Sequence, residues 1–240
     1  MKFLTSSIGE NYEDQNGFRH ACPIDNRNGF LDKLKQVLPK RPKVLFIAAD
    51  PAAHRINHYM ASVMIDAFFM SDLPLGQLIY CDDRNGERVK QLIDEADCVI
   101  LSGGHVPTQN AFFSEIGLKE ALADYPGTLI SISAGTMNCA ETVYASPEYP
   151  EEERDPNYQF FYEGLGFTKV NVLPHFQYLR EIGKIAIPLE FSKKIPIYGL
   201  TDGAYIQIEE DGSQAIFGEA YLLQDGKIIP ICKNDEKYQL

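Results

Sequence analysis

Ser133 closes the apolar run Leu129-Ile130-Ser131-Ile132 and is followed at once by Ala134 and Gly135. A serine between a buried strand and the first turn of a helix must turn so sharply that its neighbours carry little bulk, and two small residues meet that need. Such a turn lifts the hydroxyl to the end of a sheet with helix amides beside it, an arrangement suited to nucleophilic attack on a carbonyl. The same tripeptide also reads as a strand-to-helix turn whose serine only caps the helix. A second loop bears on that choice. After the apolar run Cys98-Val99-Ile100-Leu101 stands Ser102-Gly103-Gly104-His105-Val106-Pro107. Paired glycines let a backbone approach a ligand and leave amides free, so the Gly104 and Ala134 amides are candidates for a shared oxyanion hole. The structural alternative is a glycine turn opening a helix at Pro107, with His105 at its start.

A serine nucleophile needs a general base, and the chain has five histidines: His20, His54, His58, His105 and His175. His54 and His58 are four apart on one expected helix, a spacing that suits zinc, but no glutamate follows His54 and no third ligand stands nearby, so no metal is expected. His175 is placed differently. It lies in Val172-Leu173-Pro174-His175-Phe176, just beyond an apolar run, at what should be the same sheet edge as Ser133. Asp202, in Gly199-Leu200-Thr201-Asp202-Gly203, again follows an apolar run and is the candidate carboxylate to orient the imidazole.

The elements that must hold these side chains alternate along the chain. Lys43 to Ala48 reads as a strand, Ile56, Met60, Val63, Met64 and Ala67 recur at helical spacing, and Leu78-Ile79-Tyr80 forms a short strand. Val89, Leu92 and Ile93 mark a helix, Cys98 to Leu101 a buried strand, and Phe112, Phe113 and Ile116 the helix before the serine strand. Sequential βαβ units imply an α/β fold with a mostly parallel sheet and helices on both faces, flavodoxin-like in plan. Ligands of such sheets bind beyond the carboxyl ends of the strands. The terminal part differs: Ile195 to Leu200, Ala204 to Ile208, Ala215 to Phe217, Tyr221 to Leu223 and Lys227 to Ile231 are short runs between Asp-Gly-type turns, a β-rich, hairpin-like region. Residues 1 to 30 read as a strand and a long loop near the site.

The chain has 240 residues, 45% hydrophobic and 23% charged, which fits one α/β domain, 1–240. A formal charge of -12 argues against nucleic-acid and anionic-membrane partners. The apolar part of the N-terminus is too short for a signal peptide, and no run approaches the ~18 residues of a membrane span, so the expected location is cytoplasmic. Cys22, Cys81, Cys98, Cys139 and Cys232 are scattered and never form a Cys-x-x-Cys pair, which reads as reduced thiols. Nothing in the sequence calls for a cofactor, and a homodimer stands beside the monomer as an open expectation.

The pattern resembles the S51 serine peptidases, the family of aspartyl dipeptidases (dipeptidase E) and cyanophycinases, over roughly residues 40 to 220. Gly103-Gly104 followed by a helix carrying Gln109 is similar to that family's glycine-pair loop, Ser133-Ala134-Gly135 to its elbow, Pro174-His175-Phe176 to its histidine motif and Thr201-Asp202-Gly203 to its acidic position. The order nucleophile, histidine, acid differs from that of α/β-hydrolases. The resemblance implies a fold akin to class I glutamine amidotransferases and a Ser133-His175-Asp202 triad, with Gly104 and Ala134 as the oxyanion hole and Gly103, His105 and Gln109 as substrate-binding candidates. It implies a cofactor-free peptidase acting on short peptides, most simply dipeptides. Two positions depart from the family pattern: Ser131 stands where the elbow usually has glycine, and Asp202 where the acid is often glutamate. An amidase of a non-peptide amide and a silent metabolite-binding module are the alternatives.

The segment Ala145 to Asn157 is rich in acid and proline and reads first as a solvated surface loop, second as a lid whose charge disfavours acidic substrates and favours a free amine or basic side chain. Arg154 and Arg180 are candidate partners for a substrate carboxylate, and Tyr144, Tyr149, Tyr158 and Tyr162 for a pocket wall.

Overall fold

The structure, a computed structural model, describes residues 1–240. The first half supplies β1 (Lys2–Thr5), the hairpin β2 (Asn11–Glu13) and β3 (Arg19–Ala21), α1 (Phe30–Val37), β4 (Lys43–Ile47), α2 (His54–Met70), β5 (Gln77–Cys81), α3 (Val89–Asp94), β6 (Cys98–Leu101), α4 (Val106–Glu115) and α5 (Leu118–Ala121). β7 (Thr128–Ile132) leads through Ser133 into α6 (Ala134–Met137), then β8 (Thr142–Tyr144), α7 (Pro150–Glu153), β9 (Phe161–Glu163) and β10 (Asn171–Leu173). The remainder is α8 (Phe176–Glu181), α9 (Ala186–Phe191), β11 (Ile197–Leu200), β12 (Tyr205–Ile208), β13 (Gln214–Phe217), β14 (Ala220–Gln224), β15 (Lys227–Cys232) and β16 (Lys237–Gln239).

The main sheet has eight strands in the order β16-β13-β12-β1-β7-β6-β4-β5. β1, β7, β6, β4 and β5 run parallel, while β12, β13 and β16 extend the sheet antiparallel beyond β1. β6 is apolar at every position and β4 and β7 nearly so, as befits strands covered on both faces. Successive residues alternate between two cores. Leu45, Ile47, Val99, Leu101 and Leu129 meet α3, α4 and α5 through Leu92, Phe112 and Leu118. Val44, Phe46, Ile100, Ile130 and Ile132 meet α1 and α2 through Leu34, Met64 and Phe68 on the other face.

The β-rich terminus is present but divided between two sheets. β12, β13 and β16 belong to the main sheet, whereas β11, β14 and β15 join β10 in a second sheet of order β10-β11-β14-β15. Val172, Leu200 and Ala220 of that sheet lie in the same core as α3, α4 and α5, so the two sheets share apolar packing. Helix α2 forms where expected, but Ile56 points outward, 64% exposed, because Asn57 takes the inward position and donates from Nδ2 to the Asp50 carbonyl at 2.8 Å. All five cysteines are free, and no helix is long and apolar enough to cross a membrane.

Candidate active site

Loops leaving β1, β6 and β7 of the main sheet meet loops leaving β10 and β11 of the second sheet. Ser133 follows β7, and its amide donates to the Thr5 carbonyl of the neighbouring strand at 3.1 Å. The turn is fixed from beneath by hydroxyls: Thr5 Oγ1 donates to the Ser131 carbonyl at 2.7 Å, Thr136 Oγ1 to the Thr5 carbonyl at 2.8 Å, and Ser131 Oγ lies 2.8 Å from Thr136 Oγ1. Ser131, the departure from the family's glycine, is thus a buried member of the support under the elbow. At Gly135 a Cβ would stand 2.6 Å from the Leu101 carbonyl and 2.9 Å from that of Ser102, so only glycine lets α6 approach β6 this closely.

Ser133 adopts φ 51, ψ -112, and His175 adopts φ 53, ψ 34. Six non-glycine residues have positive φ, and the other four, Asn28, Asp72, Asp225 and Asp235, are of the types that tolerate it. Ser133, whose ψ lies outside the left-handed helical region, is therefore the position where backbone strain is retained without a permissive side chain, a property that concentrates at functional sites, whereas His175 lies in the left-handed region that histidine enters more readily than most residues. Their side chains meet: His175 Nε2 lies 3.0 Å from Ser133 Oγ, and His175 Nδ1 lies 2.7 Å from Asp202 Oδ1. The histidine and aspartate side chains are 38% and 35% exposed, so the row opens to solvent.

Two residues that sequence reasoning missed complete the row. Ser6, wholly buried after β1, accepts the His175 backbone N–H at 2.7 Å and donates from Oγ to Asp202 Oδ1 at 3.0 Å. Gln177 donates from Nε2 to Asp202 Oδ2 at 2.6 Å and accepts the Asp202 backbone N–H at 3.1 Å. Burial alone would raise the Asp202 carboxyl, but the hydrogen bond and charge of His175, with the Ser6 and Gln177 donors, outweigh it and hold the group below the ordinary carboxylate range. No local signal marks Ser6 as a partner of Asp202, since 196 positions separate them.

Beside the elbow, Gly103 packs so closely on Ser133 that an added Cβ would lie 3.3 Å from the serine Cβ. The backbone N–H groups of Gly104 and Ala134 donate to no acceptor within the protein. His105 starts α4, with Nδ1 2.8 Å from Thr108 Oγ1. Gln109 is not at the surface of the cleft: it is wholly buried, its Nε2 donates to the Ser102 carbonyl at 2.7 Å, and its Oε1 accepts from Asn138 Nδ2 at 3.0 Å. Its amide is used in holding the glycine loop against α6, which corrects the expectation of a substrate contact.

The two candidate zinc histidines do not converge. His54 Nε2 faces Asp83 Oδ1 at 2.6 Å, while His58 Nε2 lies 3.1 Å from the Arg84 guanidinium, itself a poor neighbour for a cation. Tyr144 is buried in the core, and Tyr162 lines a cavity of about 420 Å³ with Asn110, Lys119 and Glu163 that contains no member of the Ser-His-Asp row.

The family model for peptidase family S51 matches residues 24–216. The chain belongs to peptidase family S51. The fold agrees with solved peptidase structures. A peptidase from an acI-B1 Actinobacterium superposes with a TM-score of 0.72 at 14% identity, covering 100% of this chain and 96% of that one. A putative Peptidase E protein from Listeria monocytogenes EGD-e superposes with a TM-score of 0.59 at 15% identity, covering 100% and 98%. No curated protein sequence matches. The S51 match begins before the span of the sequence resemblance and includes α1, which covers the sheet face opposite α4.

Proposed function

We propose that this S51 peptidase is a serine-dependent exopeptidase of short peptides, most simply a dipeptidase, working through Ser133, His175 and Asp202. The continuous row Ser133 Oγ, His175 Nε2, His175 Nδ1, Asp202 Oδ1, at 3.0 and 2.7 Å, carries the reading. Ser133 Oγ attacks the scissile carbonyl as His175 Nε2 takes its proton. The resulting imidazolium is stabilised by Asp202, which stays ionised. The tetrahedral oxyanion is met by the Gly104 and Ala134 N–H groups, and their lack of protein acceptors supports that role. His175 then returns its proton to the departing amine, and water repeats the sequence on the acyl-enzyme.

A silent binding module has no need of a hydrogen-bonded nucleophile and base with the nucleophile on a strained turn, so the geometry favours turnover. The test is hydrolysis of a dipeptide panel, with Ser133→Ala as control. Serine-dependent cleavage is expected, and retained cleavage in Ser133→Ala refutes the mechanism. Asp202→Asn should lower kcat by about 10³–10⁴-fold, since an amide holds the wrong imidazole tautomer. Ammonia release from small amides without dipeptide cleavage would transfer the assignment to an amidase.

A further inference from the structure

Helix α2 turns Met64, Ala67 and Phe68 to the sheet, yet its outer side is apolar as well. Ile56, Tyr59, Ile65, Phe69 and Met70 take five of its nine exposed positions, and Phe69 is 70% exposed. A helix that only covers a core carries polar residues outward, so this face is out of pattern. The β2–β3 hairpin is tied to the same helix: the Tyr59 hydroxyl donates to the Arg19 carbonyl, and the Arg19 guanidinium lies 3.7 Å from Met60 Sδ. The hairpin adds Tyr12 and Phe18, both exposed. Seven of the thirteen large hydrophobic side chains that the molecule exposes therefore stand on one helix and the hairpin attached to it. Apolar residues scattered singly over a surface are ordinary, whereas a cluster of this kind marks a docking face.

The charges of the face select its occupant. The chain carries -12, which repels a second copy over most of the surface, but α2 holds only Arg55 and Asp66 as formal charges. Spacing of seven sets Arg55, Ser62 and Phe69 along one line of the helix. Ser62 is the midpoint of His54–Met70 and the smallest exposed side chain there. Its hydroxyl donates to the Tyr59 carbonyl at 2.8 Å, so a partner can cover it without leaving a polar group unpaired. An antiparallel pair related by a two-fold axis at Ser62 overlaps the full helix, about 24 Å, and the small residue lets the two axes approach at the centre. That pairing brings Arg55 of each copy over the Asp66–Phe69 turn of the other, once on each side of the axis, as an ion pair and a cation–π contact. A parallel pair would set Arg55 on Arg55 and Asp66 on Asp66. The hairpins fall on the same side of the antiparallel pair and widen the contact toward the about 800 Å² per partner that stable dimers bury. A highly charged partner finds one cation and one anion on this helix, whereas a second copy of the chain matches both its apolar residues and its charges.

We propose that the protein forms a two-fold dimer through the outer face of α2, antiparallel about Ser62, with the β2–β3 hairpins at the margin. The inference stands independently of which residue is the nucleophile.

Sedimentation velocity and light scattering from about 1 to 100 μM should give a particle of twice the 27.0 kDa chain mass. Phe69→Asp, at an exposed position and checked for folding by circular dichroism, should weaken association at least about 100-fold. Arg55→Asp and Asp66→Arg should each weaken it about tenfold and together restore it, because the antiparallel pair exchanges these two charges. Ser62→Cys should form an intermolecular disulfide on mild oxidation, reversed by reductant, where the unaltered chain does not. A monomer throughout the range, or a dimer indifferent to Phe69→Asp or to the charge exchange, overturns the proposal. A dimer in which Ser62→Cys fails to cross-link overturns it as well.

Discussion

Ser6→Ala isolates the contribution of a buried hydroxyl that touches neither nucleophile nor substrate. Ser6 Oγ accepts the His175 N–H and donates to Asp202, so its removal leaves a half-buried amide unpaired and takes one donor from an ionised carboxylate that keeps Gln177 and His175. An unpaired buried N–H costs about 1–3 kcal/mol, and about 2 kcal/mol for the whole change is a fair central figure. For a chain of this size that is a fall in Tm of roughly 4–8 °C. The kinetic effect should exceed what that destabilisation explains at 25 °C, where the protein stays folded. The Ser6 hydroxyl pins the left-handed backbone of His175, and with that amide released the imidazole drifts from Ser133, where about 1 Å of misplacement costs about 100-fold. Thermal melting and steady-state kinetics on a cleaved dipeptide are the assays: kcat should fall about 10- to 100-fold with KM nearly unchanged, and Ser6→Thr, which keeps a hydroxyl, should recover much of it. A Tm within about 1 °C of the parent together with a kcat within about twofold refutes the reasoning.

Gly135→Ala places a Cβ 2.6 Å from the Leu101 carbonyl where ordinary contact begins at 3.4 Å, so α6 must retreat by roughly 0.8 Å; a loss of about 1–3 kcal/mol in denaturant unfolding and slower phosphonate labelling of Ser133 are expected. Gln109→Leu keeps the volume but strips partners from the Ser102 carbonyl and Asn138, so stability and kcat should drop together; a change confined to KM would reinstate a substrate contact. Glu10→Gln should stabilise the protein at neutral pH. The folded-state carboxyl is raised by burial, so the unfolded chain releases its proton first and parental stability is lost as pH climbs from the ordinary glutamate range through the raised value. The variant's Tm advantage should therefore be larger at pH 7 than at pH 4.

The three residues of the row were legible because each follows an apolar run, and a parallel sheet delivers the residues after its strands to one edge. The three do meet, but not at one sheet edge as that logic expects: Ser133 leaves the main sheet, and His175 and Asp202 leave the second. The division itself was hidden, since the runs of β11 and β12 have the same length and apolar character and only long-range pairing assigns them to different sheets. Gln109 was misjudged because a polar residue near the start of a helix beside a glycine loop has no sequence mark that separates a ligand contact from a loop support. The acidic segment looked solvated because its density of charge says nothing of a partner; the contact of Glu152 with His105 joins residues far apart in the chain and leaves no periodic trace. Ser6 and Glu10 lay in a stretch read only as a strand and loop.

Nucleophile and base sit on separately hydrogen-bonded sheets, joined by apolar packing, by the chain that passes between them and by a few hydrogen bonds, those of the Ser6 hydroxyl among them. The distance on which proton transfer depends is therefore a gauge of how well those sheets are seated, and it reports slippage that leaves every strand intact. On warming, such a hinge opens at lower cost than the sheets themselves unravel. Turnover should fade several degrees before far-ultraviolet circular dichroism registers any melting, and anything that wedges or clasps the seam will act as a brake or a stabiliser without touching Ser133.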